Sequence, residues 1–122
     1  MAKILIVDDE KDLAEMLAAI LEIKGYQTKF VVDGYKAIEE TRKTHYDLII
    51  MDIKMPEING VETFIKIKEI DPKVKVTMMT GFAVEELISE AIKQGACGCI
   101  HKPFKPEKVI EMIGSLLKLE KV

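Results

Sequence analysis

Only two of the 122 residues are cysteine, Cys97 and Cys99. One residue apart, they sit too close along an extended strand to bridge each other easily, so the chain is expected to carry reduced thiols in a reducing compartment. No stretch approaches the roughly 20 apolar residues of a membrane span, and no charged leader runs into an apolar signal stretch. A cytoplasmic location without membrane insertion is the resulting expectation. A sustained basic run is also missing: 18 Lys and Arg stand against 21 Asp and Glu, for a net charge of −3. Direct nucleic-acid binding by electrostatic capture is therefore not expected. There is no internal linker, low-complexity segment or solenoid repeat. With 48% apolar residues, residues 1–122 are read as one domain with a real core.

Short branched runs alternate with helical spacing five times along the chain. Ile4 to Val7 and Leu48 to Met51 are too short and too branched for helices and read as buried parallel strands. Gln27 to Val32, Val74 to Met79 and Gly98 to His101 supply three more. Helix one follows Glu10 with Leu13, Leu17, Ile20 and Leu21 on a stripe and ends at Lys24-Gly25. Helix two is weaker: it follows the Asp33-Gly34 turn, with Ala37 and Ile38, and runs through Arg42. Val61, Phe64, Ile65 and Ile67 begin helix three, which must stop before Pro72. Leu87, Ile88, Ala91 and Ile92 mark helix four, and Val109, Ile113, Leu116 and Leu117 mark helix five. Right-handed crossovers place such helices on both faces of a parallel sheet. The predicted class is α/β, a doubly wound five-stranded parallel sheet of order 2-1-3-4-5, the flavodoxin-like three-layer sandwich.

In an open sheet of this kind, ligands bind beyond the carboxyl ends of the strands. Asp8 and Asp9 close the first strand and Asp52 the third. If those strands are neighbours, three carboxylates converge in one crevice, where repulsion raises their pKa values unless a cation intervenes. Carboxylate oxygens at that density suit a hard divalent ion, Mg2+ above all. Strand four ends in Thr80-Gly81 and strand five in Lys102-Pro103, both at the same crevice. Singly, each residue has a plainer reading. Asp8 and Asp9 fit a helix N-terminal cap, Asp52 and Thr80 fit strand-end turns, and Lys102 fits a solvated surface position.

In its order, the set of acid pair, acid, hydroxyl and lysine resembles the receiver domain of two-component response regulators, over essentially the whole chain and including the Met55-Pro56 to Gly60 turn. The resemblance implies that Asp52 accepts a phosphoryl group from phosphohistidine of a sensor histidine kinase or a histidine phosphotransfer protein. It implies that Asp8, Asp9, Asp52 and the backbone carbonyl of Lys54 hold Mg2+. Thr80, Gly81 and Lys102 would bind the phosphoryl group, and the Lys102-Pro103 bond would be cis. The implied switch starts at Thr80, whose hydroxyl would gain from the phosphoryl oxygen a partner it lacked. The output would pass to a downstream protein through helix four, strand five and helix five. Cys99 departs from the pattern by standing where most receivers carry Tyr or Phe, three residues before the lysine. Asn59 stands where many have Asp, a difference expected to be minor. Lys54 and Phe82, bulky and non-acidic, occupy positions that influence attacking water, which suggests slow self-hydrolysis.

Other chemistries fit less well. A haloacid dehalogenase type phosphatase needs Asp-x-Asp after strand one, and a flavin or nucleotide carrier needs a Gly-rich or hydroxyl-rich phosphate loop there. A phosphate-independent scaffold is suggested by Cys99 but opposed by intact Asp9, Asp52, Thr80 and Lys102. Cys97, Cys99 and His101 alternate on one strand face, yet such positions lie about 7 Å apart and no fourth ligand is apparent for a soft metal.

Overall fold

Alternation within the apolar runs decides the architecture. In the computed structural model, which describes residues 2–118, the strands are β1 (Lys3–Val7), β2 (Gln27–Val31), β3 (Leu48–Asp52), β4 (Val76–Thr80) and β5 (Cys99–His101). They pair in parallel in the order β2-β1-β3-β4-β5, as the sequence predicts. Side chains one residue apart leave opposite faces of a strand. Leu5, Val7, Ile49, Met51, Val76 and Met78 accordingly build one core, and Ile4, Ile6, Leu48, Ile50 and Met79 build the other.

The helices are α1 (Lys11–Ile23), α2 (Gly34–Lys43), α3 (Gly60–Ile70), α4 (Glu85–Lys93) and α5 (Pro106–Lys118). α1 and α5 cover the second core through Leu17, Leu21, Val109 and Ile113, while α2, α3 and α4 cover the first through Ala37, Phe64, Ile67 and Ala91. Gly25 and Gly95, at the ends of α1 and α4, both have positive φ, the left-handed geometry that only glycine adopts at no steric cost. α2 is well anchored despite its weak pattern. Asp33 caps it by accepting from the Lys36 amide, and its buried Glu40 is held by Tyr46 Oη at 2.7 Å and Lys29 Nζ at 3.0 Å. A buried carboxylate needs such partners.

Three sequence readings shift. The buried stripe of α1 is Ala14, Leu17, Ala18 and Leu21, with Leu13 and Ile20 only partly buried, because small residues let the helix approach the sheet. Ile65 and Ile92 are exposed rather than core, and Thr63 takes an inward place on α3 with its hydroxyl bonded to the Asn59 carbonyl. β4 starts at Val76 rather than Val74, since the Val74 amide closes a turn onto the Asp71 carbonyl. Among the described residues, no helix is long and apolar enough to cross a membrane.

Candidate functional site

Register brings the acids together. β1 and β3 are neighbours with Val7 level with Met51, so the next residues, Asp8 and Asp52, emerge side by side. Asp8, Asp9 and Asp52 each offer a carboxylate oxygen, and these oxygens all lie within 4.8 Å of one another. Asp8 and Asp52 are buried while Asp9 is exposed. The helix-cap reading of Asp8 and Asp9 fails: the N-cap of α1 is Glu10, and Asp8 Oδ1 accepts the Glu10 amide at 2.9 Å instead.

The turn after β3 is held tightly under Asp52. The Gly60 amide donates to the Ile53 carbonyl at 2.8 Å, and a Cβ on Gly60 would stand 2.4 Å from the Asp52 carbonyl oxygen. Only glycine permits that approach. Asn59, the N-cap of α3, forms a reciprocal capping box with Glu62, so asparagine serves there as well as an acid would.

Lys102 reaches the acids from the opposite side. Its amide bonds to the Thr80 carbonyl at 2.8 Å, and the Lys102-Pro103 peptide is cis. The ammonium stands 2.8 Å from Asp8 Oδ2, 3.1 Å from Glu10 Oε1 and 3.3 Å from Asp52 Oδ2. The contact to Asp8 Oδ2 is charge proximity rather than an aligned hydrogen bond, which leaves that buried oxygen without a hydrogen-bond partner. Glu10 is the site residue that the sequence reading missed. As the residue after the acid pair and before α1, it carried no pattern that pointed across to strand five.

The charges explain the protonation behaviour. Burial first, and the neighbouring Asp8 charge second, push the Asp52 pKa up to about 7, against the pull of Lys102. Burial alone would lower the pKa of Lys102, but the close carboxylates of Asp8, Glu10 and Asp52 outweigh that and hold it above the usual lysine value. The donor set fits a hard divalent cation on its own terms: three carboxylates on one spot, one of them carrying a buried oxygen without a hydrogen bond.

Thr80, fully buried at the end of β4, differs from expectation. Its hydroxyl already has a partner, accepting from the Phe82 amide at 3.0 Å and lying 3.3 Å from the Phe82 carbonyl as donor. A short hydroxyl at a strand end readily closes such a turn on the backbone two residues on. Gly81 lies beside the Lys102 side chain, with 3.7 Å between the place of a glycine Cβ and that chain. Lys54 is exposed just past β3, and its ammonium stacks 5.8 Å from the centre of the Phe82 ring. Cys99 is half-buried on β5 and packs against the α2–α4 core, where burial raises its thiol pKa. Cys97, Cys99 and His101 do not assemble: among the described residues, the acid trio is the only such ligand cluster.

A parallel sheet in this order, with acids, a buried threonine and a lysine at one set of strand ends, defines a receiver of two-component signalling. Residues 4–114 match the response regulator receiver domain family, and the chain belongs to it. It is similar to the chemotaxis protein CheY of Thermotoga maritima, at 35% identity over 117 residues, covering 95% of this chain and 98% of that one. It is 32% identical to a CpxR homolog, a transcriptional regulatory protein of Haemophilus influenzae, covering 97% of this chain but 51% of that protein. A solved CheY-like receiver domain from Methanospirillum hungatei superimposes with a TM-score of 0.96 at 29% identity, covering 99% of this chain and 97% of that one.

Proposed function

We propose that this receiver accepts a phosphoryl group on Asp52 from the phosphohistidine of a sensor histidine kinase or a histidine phosphotransfer protein. A carboxylate oxygen of Asp52 attacks phosphorus, the P–N bond to histidine breaks, and an acyl phosphate forms. The observation that carries this reading is the gathering of Asp8, Asp9 and Asp52 within 4.8 Å, with Lys102 3.3 Å from the Asp52 carboxylate. Asp8, Asp9, Asp52 and the Lys54 carbonyl are the residues that would hold Mg2+, which neutralises charge on the phosphoryl oxygens when bound.

The chain's own residues do the rest. Lys102 balances the charge that the transferred group brings, and it does so in a place where little water competes. Thr80 releases its turn with Phe82 to donate to a phosphoryl oxygen, with Gly81 alongside. The switch is thus an exchange of one hydroxyl partner for another, and the loop that carries Phe82 moves with it. The signal passes to a downstream protein through α4, β5 and α5, with Cys99 where an aromatic ring commonly stands.

Intact-mass measurement after incubation with a small acyl phosphate donor, with and without Mg2+, tests this directly. The expected result is a gain of one phosphoryl group that requires the metal and vanishes in Asp52→Asn. No gain in the wild-type chain overturns the reading and leaves a phosphate-independent scaffold as the better one.

A further inference from the structure

Glu10 occupies a helix N-cap without capping anything. It has the extended backbone of that position, yet its side chain makes no bond to the first-turn amides of α1. Aspartate ordinarily bonds those amides from such a position, but the longer glutamate is not among the favoured caps and is free to reach elsewhere. Here the carboxylate crosses instead to Lys102, ninety-two residues away in sequence, and meets its ammonium at 3.1 Å. The two residues help line a 520 Å³ cleft together with Leu13, Phe82 and Phe104. Glu10 is 65% exposed at its side chain, whereas Asp8 and Asp52 are 0% and 5% exposed, so Lys102 bridges an outer acceptor and two inner ones.

A lysine ammonium and a divalent cation compete for the same carboxylates. Two positive groups cannot both lie against Asp8 and Asp52 without strong repulsion. When metal enters, the ammonium must retreat from the inner pair, and its retreat is cheap only if an acceptor waits outside. Glu10 is that acceptor, already within bonding distance.

We propose that Glu10 is a positioning residue that parks Lys102 at the mouth of the site and thereby favours divalent metal binding among Asp8, Asp9 and Asp52. The inference rests on the metal-binding part of the proposed function. It adds that this affinity is set partly from outside the ligand shell, by an acid that never touches the metal.

A double-mutant cycle on Mg2+ affinity, read by calorimetry or by NMR titration without any phosphodonor, tests it. Glu10→Gln should weaken Mg2+ about threefold to fivefold, the scale of one exposed charge-assisted pair. In a Lys102→Met background the same substitution should change nothing, since no ammonium needs parking. Asp12→Asn, which removes an equal charge from the first turn of α1, should leave affinity nearly unchanged. If Glu10→Gln weakens binding equally with and without Lys102, or if Asp12→Asn matches it, Glu10 acts through bulk charge and the proposal is overturned. Should Lys102→Met fail to fold by circular dichroism, the comparison of Glu10→Gln with Asp12→Asn decides. A wild-type chain that binds no Mg2+ defeats the proposed function itself, which is a different outcome from unaltered affinity in Glu10→Gln.

Discussion

A carboxylate forced to sit beside another one in a closed crevice is a cost that folding carries, and Asp52 is where this chain carries it. In the unfolded chain Asp52 loses its proton near 3.8, but in the fold it does so only near 7. Its folded pKa is raised, so the unfolded state sheds the proton first and stability falls as pH climbs from about 4 to about 7. Lys102 stays charged in both states over that window and does not set the slope. With divalent metal chelated, Asp52→Asn should flatten the slope and be more stable than wild type at pH 8 by about 2 to 4 kcal/mol. Urea unfolding at several pH values measures this, and a mutant less stable than wild type at pH 8 would show that the carboxylate is not strained. The same crevice has a hydrophobic lintel in Phe82, with Lys54 stacked on it. Neither offers a base to water, so the acyl phosphate should persist for minutes or longer. Replacing the pair by Lys54→Asn and Phe82→Glu should shorten its life by at least about tenfold, as an acid near the attacking water provides general base catalysis. The decay of the phosphorylated mass follows this, and an unchanged lifetime would remove the pair from consideration.

Elements are where local spacing and tertiary packing part company. The five strands and their order were legible because runs such as Ile4 to Val7 are buried on both faces and have no other way to satisfy their pattern. The convergence of Asp8, Asp9 and Asp52 followed from that order alone. What stayed hidden depended on contacts between distant segments. Ile65 looked inward by composition but lies outside, because the packing of Thr63 and Phe64 fixed the rotation of α3. The turn of the Thr80 hydroxyl onto Phe82 agrees with the plainer strand-end reading of that residue, whereas the resemblance implied a hydroxyl still lacking a partner. Glu10 was invisible because its partner lies on another strand's end. The glycines of α3 and α5 separate packing from propensity experimentally. Gly60→Ala sets a methyl 2.4 Å from the Asp52 carbonyl oxygen and 2.9 Å from the Ile53 Cα, so the turn under Asp52 must shift. The expected cost is about 2 kcal/mol or more, with a loss of phosphoryl uptake. Gly114→Ala lies inside α5, where a Cβ meets nothing within 4 Å, and should stabilise by about 0.5 to 1 kcal/mol. Chemical denaturation of the two variants checks both signs, and a tolerated Gly60→Ala would mean that the turn is pliant.

Across the whole molecule, burial is unequal in a way that suits a signal moving in one direction. α1 buries Ala14, Leu17, Ala18 and Leu21, and α3 buries Gly60, Val61, Thr63, Phe64 and Ile67, whereas α4 fully buries Ala91 alone and β5 is partly exposed. α4 is also held unevenly along its length. Its N-cap, Val84, supplies no side-chain bond, while beyond its C-terminal end the Gln94 carbonyl accepts from Lys68 of α3. The N-terminal end follows closely on the turn from Thr80 to Phe82, so in the proposed switch a withdrawal of the Thr80 hydroxyl from Phe82 would act first on the start of the helix. Local opening free energies track this kind of burial and anchoring. Native-state hydrogen exchange should therefore find the first turn of α4, Glu85 to Ile88, opening more readily than its last turn, and α4 with β5 opening more readily than α1 or α3. Adding acyl phosphate donor with Mg2+ should change protection in that first turn and in β5 while leaving β2 and the end of α1 as they were. A uniform change across all five helices, or protection altered first at the Lys68 end of α4, would place the moving part elsewhere and show that Thr80 does not lead it.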